Sequence, residues 1–201
     1  MVMKRVLIDN GHGVNTPGKR SPDGLLREYE FNRTIAVGIL EHLALRDIDA
    51  ELVVPELEDI SLLERCRRVN EASLIFGVEN TILISIHANA AGNGSQWMNA
   101  TGWCAYTSPG ETEADKIAGH LYRAARHYLP GHKIRCDHSD GDPDFEAPFY
   151  LLKHTYCPAV LTENLFMDAY PDYQFLMSNA GKRSIVNLHV EGIIDYLRFA
   201  K

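Results

Sequence analysis

Apolar residues fall along this chain in two rhythms. Short, nearly unbroken runs read as buried strands: Arg5-Val6-Leu7-Ile8, Ala50-Glu51-Leu52-Val53-Val54, Thr81-Ile82-Leu83-Ile84-Ser85-Ile86 and Pro158-Ala159-Val160-Leu161-Thr162. Between them the period lengthens to three and four. Phe31, Ile35, Ile39, Leu40 and Leu43 form one such series, and Leu62, Cys66, Val69 and Ser73 a second. Ile117, Leu121 and Ala125 make a third, and Val186, Val190, Ile193, Ile194 and Leu197 a fourth. That spacing lays one apolar stripe along a helix. Thr101–Thr107 and Phe149–Leu152 are further strand candidates. Pro55 stops the second strand, Ser61 to Glu64 fits a capping box, and Pro130-Gly131 closes a helix that opens near Glu113.

Strands alternating with helices predict an α/β fold: a three-layer αβα arrangement with a mainly parallel twisted sheet and helices on both faces. No internal repeat or low-complexity tract interrupts the alternation. Residues 1–201 are expected to form a single catalytic domain.

Three of the apolar runs end in reactive side chains. The first leads into Asp9-Asn10-Gly11-His12-Gly13, a histidine on a turn between two glycines. The third runs into His87 and the fourth into Glu163. In open α/β sheets ligands bind outside the carboxyl ends of the strands. Glu28 follows a loop rich in Gly, Pro, Ser and Asn and falls in the first turn of the first helix. Alone, each residue has an ordinary reading. An acid in a first turn suits the helix dipole, and single histidines or glutamates after strands are usually loop residues. Their joint placement at one rim points to a metal-dependent hydrolase. Hydrolytic zinc takes three protein ligands and keeps one position for water. His12, Glu28 and His87 supply a His₂Glu set for one Zn2+ ion, and Glu163 is the expected catalytic acid/base.

Composition narrows the picture. Hydrophobic residues make up 45% of the chain and charged residues 23%, as in ordinary globular proteins. A net charge of −7 argues against nucleic acid as a partner. Cys66, Cys104, Cys136 and Cys157 are too far apart for a CxxC motif and are expected to be free thiols. No apolar run approaches the ~18 residues of a membrane span, and the N-terminus has no secretory-leader pattern. The expectation is a monomer made in the cytoplasm. Asp137, Asp140, Asp142, Asp144 and Glu146 crowd one loop, but their spacing does not match a calcium-binding EF-hand, so a solvated acidic loop is expected. His132, Cys136 and His138 match no common zinc spacing. GxSxG and HExxH are both absent, which excludes those serine-hydrolase and metalloprotease classes.

The chain resembles the zinc-dependent N-acetylmuramoyl-L-alanine amidases of the amidase-3 family. Four pieces carry the resemblance, in order. Ile8-Asp9-Asn10-Gly11-His12-Gly13 is similar to the family's D-P-G-H-G strand end, and Glu28 with Asn32 to its E-x-x-x-N helix start. Ser85-Ile86-His87-Ala88-Asn89 is similar to its S-I-H-A-N segment. Pro158-Ala159-Val160-Leu161-Thr162-Glu163-Asn164-Leu165-Phe166 is similar to its P-A-V-L-x-E-x-x-F segment. Asp59-Ile60-Ser61-Leu62 with Arg65 and Asn70 adds to it. The resemblance implies the same four roles for His12, Glu28, His87 and Glu163, and favours Glu28 over its neighbour Glu30 through Asn32. It implies peptidoglycan as substrate, cut at the amide between N-acetylmuramic acid and L-alanine. There are departures: Asn10 stands where the family has proline, and Val54-Pro55 where it often has Thr-Arg. No inserted autoinhibitory helix or wall-binding repeat is visible. Such an enzyme lacking a leader is expected to be a phage or prophage lysin, or a secreted enzyme separated from its signal. The competing readings are another zinc peptidase acting on stem peptides and an inactive wall-binding domain.

Overall fold

The computed structural model describes residues 4–199. Its elements follow the predicted alternation. They are β1 (Arg5–Asn10), α1 (Glu28–Ala44), β2 (Ala50–Leu52), α2 (Leu62–Phe76), β3 (Thr81–Asn89), β4 (Cys104–Thr107) and α3 (Glu113–Tyr128). Then come β5 (Phe145–Glu146), α4 (Tyr150–His154), β6 (Ala159–Phe166), α5 (Tyr170–Met177) and α6 (Asn179–Phe199). The strands form one sheet in the order β2-β1-β3-β6-β4-β5. Every pairing is parallel except β4 with β6, so the mainly parallel sheet holds with one antiparallel seam.

Strand alternation sends successive side chains to opposite faces. Val6, Ile8, Ile82, Ile84 and Ile86 face a core built with α1, α3, α5 and α6. Leu7, Leu83, Ala159 and Leu161 face a smaller core built with α2 and α4. Both faces are therefore covered, which is the three-layer arrangement. The inner faces of α2, α3 and α6 are buried much as the periodicity indicates, although Leu62 at the start of α2 is exposed. Among the described residues no helix is long and apolar enough to cross a membrane. All four cysteines are free.

Two elements correct the sequence reading. Phe149–Leu152 is not a strand: Tyr150–His154 forms a short helix that buries Leu151 and Leu152 beside α2. A four-residue apolar run has no period by which strand and helix could be told apart. Between Tyr150 and His154 the helical step of four stacks the two rings, with centroids 4.0 Å apart. At Ser61 only half of the capping box forms. The Ser61 hydroxyl accepts from the Glu64 N–H at 3.2 Å, while the Glu64 carboxylate turns to Arg67 and Arg68.

Candidate active site

The register of the sheet assembles the centre. Asp9 lies beside Ser85 across β1 and β3, and His87 lies directly beside Glu163 across β3 and β6. By alternation these side chains share the face of Leu7, Leu83 and Leu161, the α2–α4 face. They sit at its carboxyl edge, as the sequence predicts.

His12 enters on the turn after β1. Its φ of 66° is left-handed, a conformation uncommon for non-glycine residues though less so for histidine. The flanking glycines are there for contact. A Cβ on Gly11 would lie 2.1 Å from the His87 ring, and a Cβ on Gly13 would lie 2.0 Å from the Asp59 backbone nitrogen. The two imidazoles meet edge to face, with centroids 4.9 Å apart.

Glu28, the first residue of α1, is buried and reaches both rings. Its Oε2 lies 3.3 Å from His12 Nε2 and its Oε1 lies 3.1 Å from His87 Nδ1. Oε1 also accepts from the Ala88 N–H at 3.2 Å, while Oε2 has no hydrogen-bond partner although it is buried. Asn32, one turn along α1, donates to the Gly11 carbonyl at 3.0 Å and ties helix to turn. Glu30, the rival acid, is exposed and bonded to its neighbour Tyr29. Burial opposes ionisation of Glu28, but the two imidazoles outweigh it and hold the carboxyl well below the usual range. Burial likewise opposes charge on His87, and the Glu28 carboxylate overcomes it and raises the imidazole pKa.

His12, Glu28 and His87 each offer a ligand atom, all within 4.8 Å of one another. Two nitrogens and an oxygen are the donor set zinc favours. Bonds of 2.0–2.1 Å in a tetrahedron put donor atoms ~3.3 Å apart, close to the contacts here. The unpartnered Glu28 Oε2 is the kind of buried polar atom an ion would satisfy. The residues therefore fit the metal.

Glu163 stands beside this triad with its Oε2 unpartnered. Burial pushes its carboxyl up to about 7; His87 pulls the other way and Glu28 adds to the rise. A cleft of about 640 Å³ opens over the centre, lined by His12, Lys19, Asp59, Phe149 and Tyr150 as well as by Glu163. A second hollow of about 330 Å³, on the side of Asn89 and Asn93, shares Lys19, His87 and Glu163 with it. The two hollows thus flank the centre.

The supporting shell holds residues that sequence patterns leave unassigned. Arg65 is buried in α2 and donates to Asp9 at 2.5 Å, to Asp59 at 2.7 Å and to the Asn10 carbonyl at 3.1 Å. Ser85 donates to the other Asp9 oxygen at 2.6 Å. This pins the His12 turn to α2. Behind Glu163, Thr162 and Asn164 point to the opposite face. Asn164 donates to the His87 carbonyl at 2.9 Å and accepts from the Trp103 indole at 2.9 Å. It fills a break in the β3–β6 ladder, where the register shifts after His87 and Leu165 takes a φ of 67°. Bulges of this kind re-aim side chains at sites. Thr162 meets the buried His189 of α6 at 2.9 Å. Arg65, Ser85, Thr162 and Asn164 lie within the segments that carry the family resemblance, but the sequence assigns them no role. His132, Cys136 and His138 belong to no metal-competent cluster among the described residues.

Known proteins resemble this chain in sequence and in fold. The family profile described as N-acetylmuramoyl-L-alanine amidase matches residues 6–195. The N-acetylmuramoyl-L-alanine amidase CwlM of Bacillus licheniformis is 27% identical over 99% of this chain and 71% of its own length. The endolysin of Bacillus phage SPP1 is 25% identical over 98% of this chain and 68% of its own. The crystal structure of an N-acetylmuramoyl-L-alanine amidase from Clostridium difficile 630 superposes with a TM-score of 0.83 at 25% identity, covering 99% of both chains.

Proposed function

We propose, from the premise that the chain belongs to the amidase-3 family of N-acetylmuramoyl-L-alanine amidases, that His12, Glu28 and His87 hold one zinc ion and that Glu163 is the catalytic acid/base. The reaction is hydrolysis of the peptidoglycan amide that joins N-acetylmuramic acid to L-alanine. The observation that carries the assignment of roles is the convergence of three ligand atoms within 4.8 Å, beside a carboxyl that is not one of them. Zinc bound there would supply a Lewis acid, lowering the pKa of a water toward ~7 and polarising the scissile carbonyl.

The chain's own residues do the rest. Glu163 takes the proton from the attacking water and returns it to the alanine nitrogen as the C–N bond breaks. Burial, which opposes ionisation of this carboxyl, suits it to accept and return a proton. Glu28 keeps the two imidazoles in place, and Asn32, Arg65 and Asn164 fix the backbone that carries them. The two hollows that flank the centre accommodate glycan to one side of the scissile bond and stem peptide to the other. Residues 1–201 act as a single catalytic domain and as a monomer. The relatives that this reading leans on include a phage endolysin and a sporulation-specific amidase of Bacillus subtilis, which supports action on the cell wall after release or export.

Mass spectrometry of digested sacculi tests the reaction. New alanine amino termini together with peptide-free glycan are expected, and a chelator abolishes both. Cleavage elsewhere in the stem peptide would identify a different zinc peptidase, and undiminished digestion after full metal removal would refute the mechanism.

A further inference from the structure

A second group of carboxylates lies outside the cleft. Asp115 is in the first turn of α3, and Asp142 and Asp144 immediately precede β5. Each offers an oxygen within 4.8 Å of the others. Asp144 is only 2% exposed. Its Oδ2 accepts from the Thr107 hydroxyl at 2.7 Å, but its Oδ1 is buried with no partner. Among the described residues no lysine, arginine or histidine lies within 4.0 Å of any of the three carboxylates.

A buried carboxylate with one unpartnered oxygen, close to two more acids, is costly. Unpaired buried charge is disfavoured by several kcal/mol in general, and here like charges add to it. Something positive must offset it. The α3 N-terminus contributes part, and the capping box already employs Asp115: Thr112 donates to it through N–H at 2.5 Å and through Oγ1 at 3.1 Å. A carboxylate has further lone pairs for a cation. We propose that Asp115, Asp142 and Asp144 form a second metal site, for a hard divalent cation of the calcium class, which clamps the acidic loop and the edge strand β5 onto the start of α3. An all-oxygen donor set excludes a zinc preference and favours calcium, whose flexible shell spans such separations and takes its remaining ligands from water. The solvated loop expected from sequence is thereby corrected for Asp144, because the fold closes over it.

Calorimetric titration of the zinc-loaded protein with calcium chloride, with magnesium chloride as a parallel arm, tests the site. One saturable ion per chain is expected. At a hundredfold excess over Kd the melting temperature should rise by about 5–10 °C. Asp142→Asn and Asp144→Asn should each weaken binding at least tenfold, whereas Glu28→Gln, which damages only the zinc centre, should leave it intact. Asp144→Asn keeps an oxygen that can accept from Thr107 and Asp142 lies in a loop, so a native far-ultraviolet circular dichroism spectrum is expected of both variants. Absence of saturable binding up to ~10 mM, beyond the weak end of protein calcium sites, would overturn the proposal. So would binding equally tight in both aspartate variants.

Discussion

Glu163 and His87 are neighbours across two parallel strands; the first is proposed to carry the proton and the second the metal. The separation of roles is testable. Glu163→Gln should lower the rate of sacculus digestion by about 10²–10⁴-fold, the range for lost general acid/base catalysis, while zinc content stays at one per chain. Loss of zinc in that variant would make Glu163 a ligand instead. Glu30→Gln should leave both unchanged, because Glu30 points to solvent beside Tyr29. Gly11 is a subtler case. Its missing side chain is the space in which the His87 ring lies, so Gly11→Ala must displace the ring. Zinc affinity in that variant should fall by about 10–100-fold, as when a ligand's orienting contacts are lost, readable by competition with a chromogenic chelator. Unaltered affinity would show that the ring is free to shift.

Elements bring these residues together through polar groups buried at their junctions. Arg65 joins α2 to the end of β1, and truncating it leaves Asp9 buried without its cation. Arg65→Ala should therefore cost about 3–5 kcal/mol in denaturant unfolding, whereas a cost under 1 kcal/mol would mean that water replaces the guanidinium. His189 joins α6 to β6. Its Nδ1–H donates to the Ile185 carbonyl at 2.7 Å, which leaves Nε2 to accept from Thr162. Burial lowers its pKa to about 4, against a partly opposing effect of the Ile185 carbonyl. Above the unfolded-state value of ~6.5 the ring is neutral in both states and stability is unaffected. Between there and about 4 the unfolded chain binds the proton and the native ring does not, so stability falls with pH. By pH 4.5 the loss should reach roughly 2–3 kcal/mol. His189→Gln should remove that part of the pH dependence, and an identical slope in both proteins would contradict it. Such junctions were not legible in the sequence: Arg65 and Asp9 are 56 positions apart, and Thr162 and His189 are 27 apart. Nor was α5, whose Pro171 start and scattered aromatics give it no clean stripe. The strands that deliver His12, His87 and Glu163 were legible from their apolar runs, although β3 and β6 continue beyond those runs to Asn89 and Phe166.

For the whole molecule, two apolar cores on either side of the sheet hold the fold, and the proposed zinc ligands sit at its rim. Folding and catalysis should therefore separate under chelation. Removing the metal should abolish digestion while far-ultraviolet circular dichroism stays native, and stoichiometric zinc should restore activity. Collapse of the dichroism signal would show instead that the ion is a structural requirement. The alternation of strand and helix made the three-layer architecture readable from pattern alone. The antiparallel β4–β6 seam was not, since strand direction depends on the long connection from β3 to β4 rather than on the strands' own residues.

An anomalous difference map from crystals of the zinc-loaded protein, collected across the zinc edge, tests the central assignment most directly. It should show one zinc peak bonded at ~2.0–2.2 Å to His12, Glu28 and His87, with Glu163 beside it and unbonded. A peak at other residues, or one with Glu163 among its ligands and Glu28 outside them, would contradict it.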